Sequence, residues 1–217
     1  QSYPYSYNFW VVFINQPVYY RPMPYCMQCG HAATYTIPKG DSRQRLVCSA
    51  CGFIHYDNPK MICGALVRHE NKILLCRRAI EPRYGYWTLP AGFMEIGETM
   101  MEGALRETIE EAAAIATDAK LYCLFDMPYL GQIHAMYLTN LSYDGRFGVG
   151  VESLECALID EQDIPWQDLA FRTIHLTLEQ YLADKAAIIT QGKNIDDFAN
   201  YPIHQITLDE IVVDELQ

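Results

Sequence analysis

Hydrophobic and polar positions set out a mixed chain. Residues 61–69 are mostly apolar, Glu70-Asn71 supplies a polar turn, and residues 72–76 return, which predicts a β-hairpin. Residues 79–86, with Pro82 and Gly85, predict a loop. Residues 87–89 predict a short strand that Pro90-Ala91-Gly92 breaks. Residues 97–114 are rich in Ala, Glu and Met and start at Glu98-Thr99, the mark of a helix. Strands are expected at 120–125, 133–141 and 154–159. A connector at 160–169 follows, then a second helix at 173–189, whose apolar positions include Ile174, Leu178, Tyr181, Leu182 and Ala186.

The flanks differ from this body. Residues 1–21 are Tyr-rich, carry Arg21 as their one charge and show no period, so a flexible or peripherally docked arm is expected. The early apolar run at 9–14 is far short of the roughly 20 residues of a membrane span, and no basic stretch precedes it as a secretory signal requires. A cytoplasmic, reducing setting is expected, with part of an organellar transit peptide as the open alternative. Residues 191–217, with Pro202 and an acidic end, are expected to form a C-terminal tail outside a main domain at 57–190.

Residues 22–56 read as a separate small module. Cys26-Met27-Gln28-Cys29-Gly30 and Cys48-Ser49-Ala50-Cys51-Gly52 are Cys-x-x-Cys pairs, each followed by the Gly a tight metal knuckle needs. Two such pairs complete a tetrahedron of thiolates at about 2.3 Å from one zinc ion, and four protein ligands close the site, so a structural Zn²⁺ ribbon with a turn at 38–41 is expected. A redox pair would open a helix beside a strand, which neither pair does. Lys39, Arg43 and Arg45 against Asp41 give only a weak positive balance, so the ribbon reads as a folding staple or dimer contact before a nucleic-acid binder. The remaining cysteines, Cys63, Cys76, Cys123 and Cys156, sit in apolar stretches as buried thiols.

Half of the 217 residues are apolar and 20% are charged, the make-up of a globular protein. The formal net charge of −11 disfavours sequence-independent binding to nucleic acid. An acidic protein acting on anionic small molecules needs divalent cations between like charges. The place for them is the first helix. Between Gly92 and Ala114 stand six Glu and one Arg, without Lys. Glu107, Glu110 and Glu111, at i, i+3 and i+4, share one helix face and repel one another. Near a helix C-terminus the dipole adds to the cost. A solvated face normally interleaves Lys, so hard oxygen ligands for Mg²⁺ or Mn²⁺ are the reading with more chemistry in it.

This arrangement resembles the Nudix box, G-x5-E-x7-R-E-U-x-E-E-x-G-U, with U a bulky apolar residue. Gly92, Glu98, Arg106, Glu107, Glu110 and Glu111 fall in place; Thr108, Ala113 and Ala114 depart from the pattern without removing a ligand. Cys51-Gly-Phe-Ile-His-Tyr-Asp-Asn-Pro-Lys60, Leu75-Cys-Arg-Arg-Ala-Ile-Glu-Pro82, Trp87-Thr-Leu-Pro-Ala-Gly-Phe-Met-Glu95 and Glu152-Ser-Leu-Glu-Cys156 are similar to zinc-ribbon Nudix hydrolases, the ADP-ribose and FAD pyrophosphatases among them.

The resemblance implies an α+β fold, a Nudix α/β/α sandwich behind the ribbon, and metal-dependent hydrolysis of ADP-ribose to AMP and ribose 5-phosphate, or of FAD to AMP and FMN. It implies that Glu107, Glu110, Glu111 and the Ala91 carbonyl hold the ions, while Arg106 orients the glutamates. Glu98 is either a partner in that network or a helix cap. Outside the box, Glu155 is expected as a further metal ligand and Glu152 as general base. Arg77 or Arg78 is expected to reach phosphate, and Trp87 and Phe125 to stack on a base; solvated strand ends and core packing are the alternatives. A homodimer is implied. NADH pyrophosphatase is the nearest rival, although Ile164-Pro165-Trp166-Gln167 supplies only the Pro-Trp of that group's Ser-Gln-Pro-Trp motif. A catalytically inactive nucleotide sensor and an RNA-decapping enzyme are the rivals from other classes.

Overall fold

The computed structural model describes residues 25–209, so the expected arm at 1–21 lies outside the described residues. The described chain forms two compact units: residues up to Pro59 with Tyr129–Gly131, and Lys60–Pro128 with Gln132 onward.

The first unit is a three-stranded antiparallel sheet of β1 (Ala33–Thr36), β2 (Arg45–Cys48) and β3 (Ile54–His55). The two knuckles close by matching backbone bonds, Gly30 N–H to Cys26 O at 2.9 Å and Gly52 N–H to Cys48 O at 3.0 Å. The turn between β1 and β2 is held by Asp41, whose carboxylate accepts from Ser42 N–H, Arg43 N–H and Arg45 Nε at 2.7, 3.1 and 2.9 Å.

The second unit is a mixed sheet between two helices. Its strands are β4 (Lys60–His69), β5 (Lys72–Arg78), β6 (Trp87–Thr88), β7 (Ala91–Phe93), β8 (Ala116–Met127), β9 (Gln132–Leu141), β10 (Ser153–Asp160) and β11 (His204–Thr207). Their order is β10-β5-β4-β9-β8-β11, with β6 beside β5 and β7 beside β4. The β4–β9 and β8–β11 pairs are parallel and the rest antiparallel. Side chains alternate across the sheet. On one face Cys63, Ala65 and Val67 of β4 and Leu74 and Cys76 of β5 pack with Ala104 and Ala112 of α1 (Met100–Ala112). On the other, Arg68 lies over Tyr201, whose ring stacks on Tyr181 of α2 (Arg172–Thr190).

The structure departs from the expected elements in three places. Ala91–Phe93 does not merely break a strand; it pairs with β4. β8 is longer than the expected 120–125 because register shifts after Thr117 and after Leu121 carry it on through irregular pairing. Residues after α2 return to the sheet as β11, and Arg68 ties this segment down through Ile195 O at 2.9 Å and Asp196 Oδ1 at 3.1 Å. Among the described residues no helix is long and apolar enough to cross a membrane.

Candidate active site

α1 starts at Thr99, which forms a reciprocal capping box. Its hydroxyl accepts from Glu102 N–H at 3.2 Å, and the Glu102 carboxylate accepts from Thr99 N–H at 2.7 Å. Thr99 thus takes the capping role, and Glu98 is free to be the partner of Arg106. The Arg106 Nε and Nη2 bond both Glu98 carboxylate oxygens, at 3.0 and 2.9 Å. That bidentate pairing holds the Glu98 carboxyl down at about 2. The same guanidinium reaches Glu107 at 2.6 Å, Glu110 at 2.8 Å and the Phe93 carbonyl at 3.0 Å. One arginine therefore ties the β7 loop to three glutamates.

The glutamates are not equivalent. Glu110 is exposed, whereas Glu107 and Glu111 are buried at 9% and 7% exposure. The buried Glu111 carboxylate accepts from Ala91 N–H at 3.1 Å, which fixes it against β7. Burial pushes the Glu111 carboxyl up to about 7, with Glu107 and Glu152 adding repulsion. Burial raises Glu107 as well, against the pull of Arg106. Gly92 makes this packing possible: a Cβ there would occupy the place of the Glu107 carboxylate.

The far end of α1 is closed by the loop that leads into β10. Glu111 O accepts from Ser153 Oγ at 2.8 Å and Gly150 N–H at 3.0 Å, and Ala112 O accepts from Gly148 N–H at 2.7 Å. A side chain at Gly150 would strike the α1 backbone at Glu110 and Glu111. The Gly148-Val149-Gly150 spacing is the sequence signal for this close approach, one that hydrophobic periodicity does not report. Glu152 directly precedes Ser153, the residue docked on Glu111 O, and its charge adds to the raising of both Glu107 and Glu111.

Glu155 is a correction. Cys76 and Cys156 face α1, and both thiols approach Glu111 O. Glu155 and Arg77 are their chain neighbours and pair with each other across β10–β5, so strand alternation turns them to the opposite face. There Arg77 Nη1 stands 3.9 Å from Glu155 Oε2 and Arg77 Nε donates to Gly85 O at 2.8 Å. Trp87 pairs with Arg77 and shares that face. Arg78 is buried, donates through Nε to Pro82 O at 2.9 Å and stacks 4.9 Å over the Phe171 ring. It lies on the glutamate side, because its ladder partner Ser153 donates to Glu111 O; the charges of Glu111 and Glu152 offset part of the lowering that burial imposes on it. Phe125 is the second correction: it is fully buried in β8, with no ring face open to a ligand.

Two metal sites can be judged by their donors. The four ribbon thiols lie within 4.8 Å of one another, with Cys26–Cys51 and Cys29–Cys48 Sγ pairs at 3.7 and 3.5 Å. A tetrahedron with bonds of about 2.3 Å has edges of about 3.8 Å, so the cysteines fit a zinc ion. At α1 the donors are carboxylate oxygens, hard ligands suited to Mg²⁺ or Mn²⁺. Glu111 is buried, with Glu107 and Glu152 adding like charge against the charge of Arg78, a balance that a bound divalent cation fits.

The family model for the NUDIX domain matches residues 59–188, and a zinc-ribbon model described as Nudix N-terminal matches residues 24–57. This chain belongs to the Nudix hydrolase family. A crystal structure of a NUDIX hydrolase from Nitrosomonas europaea is 42% identical, covers 87% of this chain and all of that one, and superposes with a TM-score of 0.76. An ADP-ribose pyrophosphatase from Methanocaldococcus jannaschii is 28% identical over 113 residues, 51% of this chain and 67% of its own. The NAD-capped RNA hydrolase NudC of Salmonella heidelberg is 32% identical over 94 residues, 43% of this chain. The match to that relative spans 35% of its length.

Proposed function

We propose that this Nudix chain hydrolyses the diphosphate bond of a dinucleotide-type nucleoside diphosphate, taking ADP-ribose to AMP and ribose 5-phosphate or FAD to AMP and FMN. The observation that carries the reading is the α1 carboxylate set, in which Glu107 and Glu111 are buried and Arg106 holds Glu107 and Glu110 in place. Glu107, Glu110, Glu111 and the Ala91 carbonyl would hold Mg²⁺ or Mn²⁺, which would supply Lewis acidity to the diphosphate and offset its charge. Glu152, the neighbour of the Ser153 that bonds Glu111 O, accepts the proton of the attacking water. Arg106 orients the ligands without touching substrate. Arg78, on the same side as Glu111, is the better placed of the two arginines to meet phosphate. Similarity to the archaeal ADP-ribose pyrophosphatase supports the substrate class.

Chromatographic product analysis tests this, using ADP-ribose, FAD, NADH and NAD-capped RNA with Mg²⁺, Mn²⁺ or EDTA. Metal-dependent AMP from ADP-ribose or FAD is the expected result, and comparison of kcat/KM ranks the two. The similarity to NudC favours one second reading, in which NADH or the NAD cap is cleaved instead. Metal-dependent binding with no turnover on any of the four would replace the enzyme reading with the sensor.

A further inference from the structure

Beneath the end of α1 lies a pair of thiols that hydrolysis does not use. Cys76 on β5 and Cys156 on β10 are direct partners in the antiparallel ladder. Residues so paired have Cα atoms about 4.5–5.5 Å apart, inside the window of about 4.4–6.8 Å that a disulfide requires. Their side chains already point at each other, with Sγ atoms at 3.4 Å, and both sulfurs are free thiols. Cys76 is buried and Cys156 is half-buried, so a small oxidant has a way in through Cys156. The pair also touches the site: Cys156 Sγ lies 3.4 Å and Cys76 Sγ 4.0 Å from the carbonyl oxygen of Glu111.

We propose that Cys76 and Cys156 form an oxidation site at which a hydroperoxide installs a reversible cross-strand disulfide that disables the α1 glutamates. The chemistry balances with that oxidant. The Cys156 sulfur attacks the hydroperoxide, its O–O bond breaks, and the thiol proton leaves with the alkoxide as an alcohol, or as water from H₂O₂. The Cys76 sulfur then attacks the sulfenic sulfur; the S–S bond forms, the S–O bond breaks, and water departs with the second thiol proton. Two thiols lose two electrons and the peroxide gains them. The sulfurs close from 3.4 Å to about 2.05 Å, and Glu111 O loses both S–H neighbours. Glu152 lies four residues before Cys156, next to the start of the same strand, so a shift of that strand end would reach it.

The bond itself can be detected whatever the substrate; only its effect on turnover rests on the hydrolase reading. Zinc-loaded protein is treated with H₂O₂, free thiols are alkylated, and peptides are mapped by mass spectrometry. The expected result is a linked Cys76–Cys156 peptide that dithiothreitol dissolves. Turnover is expected to fall at least about tenfold with the bond, to return with reductant, and to be spared in both Cys156→Ala and Cys156→Ser. Cys156→Ser keeps a hydroxyl beside Glu111 O, so it guards against a packing defect in the Ala variant. Alkylation of both thiols in peroxide-treated protein would overturn the site. A linked peptide in fully active enzyme would overturn its effect on the glutamates, and inactivation that persists in both variants would assign the loss to other residues such as the ribbon cysteines.

Discussion

The two helices cover opposite faces of one sheet and treat buried charge in opposite ways. On α2, Lys185 is buried and its ammonium bonds both oxygens of Glu161 at 2.7 Å and Asn71 at 3.0 Å, while Tyr181 donates to Glu161 at 2.9 Å. Lys185 and Glu161 there neutralise each other within the chain. On α1, Glu111 is as deeply buried but has only one backbone N–H bonded to it and the charge of Arg78 at a distance, with Glu107 and Glu152 adding like charge. A buried charge that the chain neutralises itself holds the fold together; one left only partly compensated marks a candidate place for a bound cation.

That contrast breaks first at Glu111. Replacing Glu111 by Gln keeps the shape and a hydrogen bond acceptor for Ala91 N–H while removing the charge. Turnover should fall by at least about 10³-fold. Thermal stability in EDTA should match or exceed that of wild type, because the partly compensated charge is gone. In wild type, Mg²⁺ or Mn²⁺ should raise Tm by mass action, and in Glu111→Gln that rise should shrink or vanish. A Glu111→Gln protein that unfolds at once in EDTA would mean that Glu111 is structural, like Glu161.

The opposite pattern is expected at Lys185. Lys185→Met leaves Glu161 half-buried with Tyr181 as its remaining partner, and should cost about 3 kcal/mol in urea unfolding. Adding Glu161→Leu should recover most of that loss, since the pair rather than either charge is what the site tolerates. kcat/KM per folded molecule should stay at the wild-type value in both.

The sheet between the helices shows a third treatment, burial in the neutral form. His134 on β9 lies between Ile62 of β4 and Phe125 of β8, with a ring nitrogen 3.1 Å from Gln132 Oε1. Burial holds its pKa down at about 4, below the unfolded value of about 6.5. A depressed folded pKa contributes stability that is present above pH 6.5 and lost as the pH falls towards 4. His134→Gln should flatten that part of the Tm profile, by about 1–2 kcal/mol between pH 7 and pH 4.5. The acid loss tied to Glu98, which is held at about 2, begins only below about pH 4.5 and serves as an internal reference.

Periodicity and box spacing made most of this legible in the sequence. The β4–β5 hairpin, both helices, and Glu107, Glu110, Glu111 and Arg106 follow from local pattern, because each is decided within one turn or one strand. What local pattern missed depended on distant partners. The β11 sequence His204-Gln205-Ile206-Thr207 has no apolar run; it is a strand because Cys123–Asp126 of β8 offer it an edge. Glu152 and Glu155 look alike in sequence. The register irregularity between Ser153 and Glu155 sets where the side chains point, and no spacing rule reports which way. Phe125 was likewise ambiguous until the layer over it was known.

The smallest expected effect returns to the helices, at their C-termini. α2 ends with Gln191 in the right-handed region, and Gly192 then takes the left-handed turn at φ 67° without steric cost. α1 makes its turn on Ala113, at φ 46° and ψ 32°, where the Nudix pattern carries Gly. A Cβ in that region costs roughly 1 kcal/mol. The Ala113 N–H still donates to Ile109 O at 2.9 Å, so the cap is formed and only the side chain is strained. Ala113→Gly removes that strain but gives the unfolded chain more freedom, which returns part of the gain. A net stabilisation of about 0.5 kcal/mol follows, a Tm rise of about 1–2 °C. Gln191→Gly, at a residue already in the right-handed region, should instead lower stability slightly, since it adds only unfolded-state entropy. If Ala113→Gly also destabilises, the Ala113 methyl earns more in packing than its backbone loses, and the difference between the two helix ends is one of contacts rather than of backbone strain.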